Sequence, residues 1–324
     1  MRKISARLDR VGKTMKHTIF IDGAEGTTGL EIRERLAERD DVEVLEIEEA
    51  LRKDKTAREH LLNEATLAIL CLPDVAARES VGLIKNPRTK VLDASTAHRV
   101  TEGWVYGLPE IGLRDEIGKS QRVAVPGCHA SGFVLAVKPL VEAGLLSAGA
   151  RVTAVSLTGY SGGGKSLIAA YEKGDAAVKM PVAPYATALK HKHLPEMKKF
   201  AALEHSPTFL PTVGNFHRGK IVTSFFDKRD FLQNATPAIL RNIYARKYDR
   251  EKFISVMNEG EGFEENGFLS PLACNGSNRV EIFPLGHDDC IAVAVRLDNL
   301  GKGAGGAAVQ NMNLMLGLTE WKGL

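Results

Sequence analysis

The 324-residue sequence contains no Cys-x-x-Cys pair, no excess of one charge, and no apolar run near the ~20 residues needed to cross a bilayer. Its four cysteines, Cys71, Cys128, Cys274 and Cys290, are widely spaced. That spacing excludes a paired-thiol metal knuckle or redox motif and fits reduced thiols in a cytoplasm. A net charge of +3, from 43 basic and 40 acidic residues, gives no electrostatic reason to expect nucleic acid as a partner. The absence of a long apolar run argues against a membrane span, and 44% hydrophobic residues is ordinary for a globular chain. The basic opening Met1 to Lys16 lacks the apolar core of a secretion signal, so export is not expected; its composition is that of a loosely ordered terminus.

What is present is an alternation. His17 to Asp22 reads as a strand that runs into Gly23-Ala24-Glu25-Gly26-Thr27-Thr28-Gly29 and then a helix through Arg39. Strand, glycine-rich turn and helix make a βα unit whose helix amides accept a dinucleotide pyrophosphate, with Gly23, Gly26, Thr27, Thr28 and Gly29 as the contacts. The spacing is Gly-x-x-Gly-x-x-Gly, so its position in the β/α series carries the assignment. Strands at Val42 to Ile47, Thr66 to Leu72, Lys90 to Ser95 and Gln121 to Val125 alternate with helices at Thr56 to Ala65 and Asp74 to Lys85. The pattern predicts a Rossmann-type, doubly wound parallel sheet, with ligands at the carboxyl ends of its strands. At the end of the second strand Glu46 and Glu48 favour NAD, while Arg52 and Lys53 favour NADP, so the residues leave that choice open.

From Arg151 the rhythm changes to β runs at Val152 to Thr158, Thr208 to Val213, Lys220 to Phe226, Phe253 to Asn258, Arg279 to Pro284 and Cys290 to Leu297. A helix is expected at Pro237 to Tyr248 and a turn at Leu285 to Asp289. This predicts an α+β domain with a largely antiparallel sheet. A last helix, Ala307 to Leu316, is expected to return to the first domain. The division is 17–127, completed by 303–324, for dinucleotide binding, and 128–302 for catalysis, substrate binding and oligomerisation.

Val125-Pro126-Gly127-Cys128 sets one cysteine between a strand stopped by proline and a helical pattern. A thiol there faces the free amides and positive end of the helix, which favour thiolate, so Cys128 is the candidate nucleophile. His129 follows directly and is placed to perturb it. His191 and His193, one residue apart before a Pro-initiated helix, are candidate proton carriers. No cysteine or third histidine lies at supporting spacing, so no metal is expected. Gly159 to Ser166 satisfies Gly-x-x-x-x-Gly-Lys-Ser but falls where the sheet turns antiparallel. It is therefore taken as an anion-approaching loop and a false match to the Walker motif, with Ser161, Gly162 and Lys165 as substrate contacts. Arg99, on a strand-end loop, is a candidate bidentate anion binder.

Taken together, Asp22 to Leu30, Leu70-Cys71-Leu72-Pro73-Asp74, Ser95-Thr96-Ala97-His98-Arg99, Pro126-Gly127-Cys128, Ser161 to Lys165, Leu189 to Glu196 and Asn299 to Leu316 resemble the N-acetyl-γ-glutamyl-phosphate reductases of arginine biosynthesis, in their shorter type 2 form. The likeness runs in order from about Ile19 to Gly317. It implies a cytoplasmic, NADPH-dependent reduction of an acyl phosphate to N-acetyl-L-glutamate 5-semialdehyde and inorganic phosphate, through a thioester on Cys128. His193 then exchanges protons, His191 and Arg99 hold substrate or phosphate, Ser95 and Asn311 join the cofactor contacts, and the chain is a homodimer or homotetramer. The competing expectations are an acyl-phosphate reductase similar to aspartate-semialdehyde dehydrogenase, and a non-catalytic NADP-binding regulatory protein.

Overall fold

A computed structural model describes residues 16–174, 179–287 and 289–324. The expectation for the basic amino terminus falls on residues outside that set, apart from Lys16. Strand β1 (His17–Asp22), helix α1 (Thr27–Leu36), β2 (Val42–Leu45), α2 (Lys55–Glu64), β3 (Leu67–Leu70), α3 (Asp74–Leu83), β4 (Lys90–Asp93), β5 (Val105–Tyr106), α4 (Arg114–Lys119) and β6 (Arg122–Ala124) follow in order. The strands form one parallel sheet in the order β2-β1-β3-β4-β6-β5. Every residue of β3 is buried, as a strand covered on both faces must be, which explains its unbroken apolar run. Chain order reverses between β1 and β3, and the crevice of such a sheet opens at the carboxyl ends beside that switch.

Helix α5 (Cys128–Glu142) leads out of this sheet into a second one. Strand β7 (Thr153–Gly159), helix α6 (Gly164–Glu172), β8 (Val182–Pro184), helix α7 (Leu194–Phe200), β9 (Thr208–Gly214), β10 (Lys220–Phe226), helix α8 (Pro237–Lys247), β11 (Ile254–Val256), β12 (Val280–His287) and β13 (Cys290–Leu297) complete it, in the order β11-β12-β13-β10-β7-β9-β8. The sheet is antiparallel except where β7 meets β9 and β11 meets β12. Strand β12 continues through Leu285 and Gly286 to His287, which pairs with Cys290, so three of the five residues expected in a turn belong to the strand, and position 288 lies outside the described residues. The short edge strands β5 and β8 were not foreseen, because two or three residues hold too little alternation to recognise.

Helix α5 shows no exposed stripe over its first turns: His129 to Val137 are buried without interruption. That stretch is wedged between the inner face of β10 and β13 and helices α7 and α8, and only the end of the helix, at Glu142, is exposed. The chain then makes a π-helical turn, Gly301–Gly305, and helix α9 (Gly306–Leu316) returns to the first sheet. There Ala308, Met312 and Met315 share a core with Ile32 and Leu36 of α1. Among the described residues, no helix is long and apolar enough to cross a membrane.

Candidate active site

Pro126 cannot donate to a ladder, so β6 ends there and the chain turns at Gly127, whose extended backbone starts α5. A side chain on Gly127 would meet Arg99 Nη1 and the His193 ring at 2.5 Å, which is why this position has none. Cys128 is the first helical residue, facing the positive end of a 15-residue helix. Gly303 of the π turn comes so close that a Cβ there would lie 2.7 Å from Cys128 Cβ. The glycine at 303 is what lets the π turn pack directly against the first turn of α5.

A cavity of about 670 Å³ opens over Cys128 and is lined on one side by Gly26, Thr27 and Thr28 and on the other by Arg99, Ser161, Gly162, His191 and His193. The expected residues divide accordingly. Gly23 and Gly29 serve the turn from beneath: a Cβ on Gly23 would strike Cys71 O at 2.4 Å, and one on Gly29 would strike Ala24 at 2.7 Å. Ser95 is buried and donates to Asp93. Asn311 is wholly buried and ties α9 to Gly107 O at 2.8 Å. Lys165 is exposed and outside the cavity lining. Ser161 Oγ accepts a hydrogen bond from Asn299 Nδ2 at 2.9 Å.

Among the described residues no side chain caps the start of α1, its first turn holds no acidic residue, and Thr27 Oγ1 is buried without a partner. Free amides, positive dipole end and an orphaned hydroxyl are what a dinucleotide pyrophosphate requires.

Glu196, one turn into α7 and almost fully buried, organises the other side. It accepts from Arg99 Nη1 at 2.7 Å, Tyr106 Oη at 2.8 Å and Gly127 N at 3.0 Å. Arg99 also donates through Nε to Val125 O at 2.9 Å, so its guanidinium is pinned at the strand end. Removing one partner of such a buried pair costs roughly 3–5 kcal/mol. His193 is buried, its Nδ1 has no partner, and its Nε2 lies 4.0 Å from Glu196 Oε1. Its backbone N–H donates to His191 Nδ1 at 3.2 Å, which fixes the His-x-His turn.

One residue of this centre, Lys220, had no assigned role in the sequence, and His129, expected to perturb the thiol, reaches it through that lysine. Lys220 Nζ, on β10, donates to Cys128 Sγ at 3.1 Å and lies 2.9 Å from His129 Nδ1. His129 is held by Ser156 Oγ at Nδ1 and by Tyr185 Oη at Nε2, both at 2.9 Å. The signal for Lys220 was available: in a strand whose even positions Val222, Ser224 and Phe226 face inward, a lysine two residues earlier points the same way.

The spacing argument against a third histidine is corrected here, because the fold brings His129 to His191 and His193 with ring nitrogens within 4.8 Å of one another. Burial, then the charge of Lys220, pushes His129 well below the usual histidine range; burial, then Arg99, does the same to His193. His191 is lowered to about 4 by burial, then Lys220. Neutral imidazoles ringed by Lys220, Arg99 and Lys192 suit an anion better than a divalent cation.

These shifts set a stability window. Unfolded histidines take up protons below about 6.5 that the folded ones refuse, so stability is full above that value and declines as pH falls toward 4. The thermal midpoint should drop by roughly 5 °C between pH 7 and 5, and less in His191→Asn. Equal slopes in differential scanning fluorimetry would refute this.

Residues 18–120 match the family model described as semialdehyde dehydrogenase, NAD binding domain, and residues 128–299 the one described as semialdehyde dehydrogenase, dimerisation domain. The chain is 44% identical over 321 residues to N-acetyl-gamma-glutamyl-phosphate reductase 2 of Nostoc sp., covering 95% of this chain and 99% of that one. It is 45% identical over 312 residues to N-acetyl-gamma-glutamyl-phosphate reductase of Mesorhizobium japonicum, covering 94% and 100%. Among solved structures, aspartate semialdehyde dehydrogenase II of Vibrio cholerae complexed with ASA superposes with a TM-score of 0.71 at 16% identity, covering 93% and 98%. The Candida albicans aspartate semialdehyde dehydrogenase with NADP gives 0.62 at 13% identity, covering 93% and 99%. At such identities these two share the fold.

Proposed function

The chain belongs to the N-acetyl-γ-glutamyl-phosphate reductases of the semialdehyde dehydrogenase family, and from that premise we propose that Cys128 carries its chemistry, the NADPH-dependent reduction of N-acetyl-γ-glutamyl phosphate to N-acetyl-L-glutamate 5-semialdehyde and phosphate. One observation carries the assignment of residues: a single cavity is lined by the Gly26-Thr27-Thr28 turn, by Cys128 and by the two histidines.

Cys128 Sγ attacks the acyl carbon, the carbon–oxygen bond to phosphate breaks, and phosphate leaves with that electron pair, so a thioester remains. Bound NADPH supplies the hydride that the thioester carbon accepts. The carbon–sulfur bond then breaks, its electron pair returns to Sγ, and the aldehyde departs. His193 exchanges the proton at the substrate oxygen, while His191 and Arg99 hold the phosphate. Gly26, Thr27 and Thr28 hold the pyrophosphate on the amides of α1. Arg33, paired with Glu46 just after β2, and Arg52, paired with Glu25 of the glycine-rich turn, supply positive charge for the extra phosphate of NADP.

The proposed division lies at residues 127 and 303, with α9 completing the nucleotide half. Val155 and Phe225, exposed on the outer face of the second sheet with their register partners Thr223 and Thr153, give a second copy a place to dock, in a homodimer or homotetramer. The family description of this half as a dimerisation domain supports that. The site serves a cytoplasmic enzyme.

Phosphate-dependent oxidation of N-acetylglutamate semialdehyde should produce NADPH, at least tenfold faster at fixed cofactor than NADH from NAD. Equal turnover of aspartate semialdehyde would favour the related reductase, and NADPH binding without turnover would favour the regulatory protein.

A further inference from the structure

We infer that Lys220 is the charge partner of the Cys128 thiolate: the amino group on β10 takes the thiol proton and holds it while the sulfur is nucleophilic. The inference rests on Cys128 being the nucleophile and assigns a catalytic role to a second residue. Lys220 is fully buried, on the inward phase of β10 and in register with Thr158 of β7 and Leu297 of β13. Burying an ammonium is tolerated where an anion meets it. Around it stand His129 from α5, His191, Lys192 and His193 from the segment before α7, Tyr185 from the segment after β8, and Arg99 from the first domain. None of these side chains is a carboxylate. Among the described residues Glu196 is the nearby acid, and it is already taken by Arg99, Tyr106 and Gly127. Burial keeps the Tyr185 hydroxyl protonated. That leaves Cys128 Sγ, 3.1 Å from Nζ, as the group that balances the charge.

Burial alone favours a neutral Lys220, and the neighbouring sulfur opposes that shift. The two groups therefore share one proton. Transfer from Sγ to Nζ gives thiolate and ammonium. Sulfur then bonds to the acyl carbon, phosphate leaves, and on collapse to the aldehyde the carbon–sulfur electron pair returns to Sγ beside the same ammonium, with no net proton change at the pair. His129, accepting at Nδ1 and bonded through Nε2 to Tyr185, keeps the amino group aimed at the sulfur. His193 is thereby free for the substrate oxygen.

The test is the pH profile of Cys128 carbamidomethylation by iodoacetamide in the full-length protein, followed by mass spectrometry of its peptide, in wild type, Lys220→Gln and Lys220→Met. Glutamine keeps an N–H donor in the same space and guards against loss of fold; retained NADPH binding and thermal midpoint report it. At pH 6.5 wild type should alkylate at least ten times faster than either variant, and the gap should close as the pH rises and the thiol ionises without help. Superimposable profiles for wild type and Lys220→Gln, or a rate gap that stays the same from pH 6.5 to 9.5, overturn the inference. Because alkylation needs no substrate, a protein that alkylates as expected but reduces no acyl phosphate would refute the proposed function and leave the pair standing.

Discussion

Cys128→Ser should lower kcat by a thousandfold or more while NADPH binding stays within threefold of wild type. A hydroxyl at this position does not ionise near neutral pH, so neither the helix amides nor Lys220 can convert it into an anionic nucleophile. No other thiol substitutes for it. Burial pushes Cys71 and Cys274 up to about 12, and Cys290 sits exposed at the start of β13, outside the cavity lining. Loss of an attacking group that works with its base typically removes most of the rate, leaving what binding alone supplies. The measurement is steady-state turnover beside cofactor fluorescence, with mass spectrometry of wild type showing an acyl adduct on the Cys128 peptide. A serine variant above a tenth of wild-type rate would end the thioester mechanism.

The second large effect is expected at His193. His193→Asn should reduce kcat about 10²- to 10³-fold with KM changed by less than a factor of about 5, the range of a lost general acid–base group. Its Nδ1 has no protein partner, and burial with Arg99 alongside keeps the ring unprotonated through neutral pH. An unprotonated imidazole accepts a proton at once and returns it. His191 holds the phosphate and accepts from the His193 backbone amide, so His191→Asn should cost about tenfold, shared between kcat and KM. If His191→Asn is the more damaging of the two, or if His193→Asn stays within threefold of wild type, the roles are reversed or absent.

Much of the fold was legible because its elements announce themselves locally. The glycine-rich turn after β1, the buried run of β3 and the proline that ends β6 each follow from backbone geometry and from covering a parallel sheet on both faces. The parallel joins of β7 with β9 and of β11 with β12 were not legible, since a strand's own residues do not encode which neighbour it meets or in which direction.

The site divides the same way. Cys128 at a helix start, the His191-x-His193 pair and the Gly26-Thr27-Thr28 turn are patterns of adjacent residues, and sequence alone determined them. So did the likeness that names the reaction, because it is a series of short motifs in order. Tertiary structure decided the rest. It put Lys220, 92 positions away, against the thiol, and turned Glu196 into the clamp for Arg99 and Gly127. It added His129 as the third imidazole, and set Ser95, Asn311 and Lys165 away from the cavity lining. Proton transfer and charge pairing act over about 3 Å in space, and separation along the chain says nothing about that distance until the second sheet closes over α5.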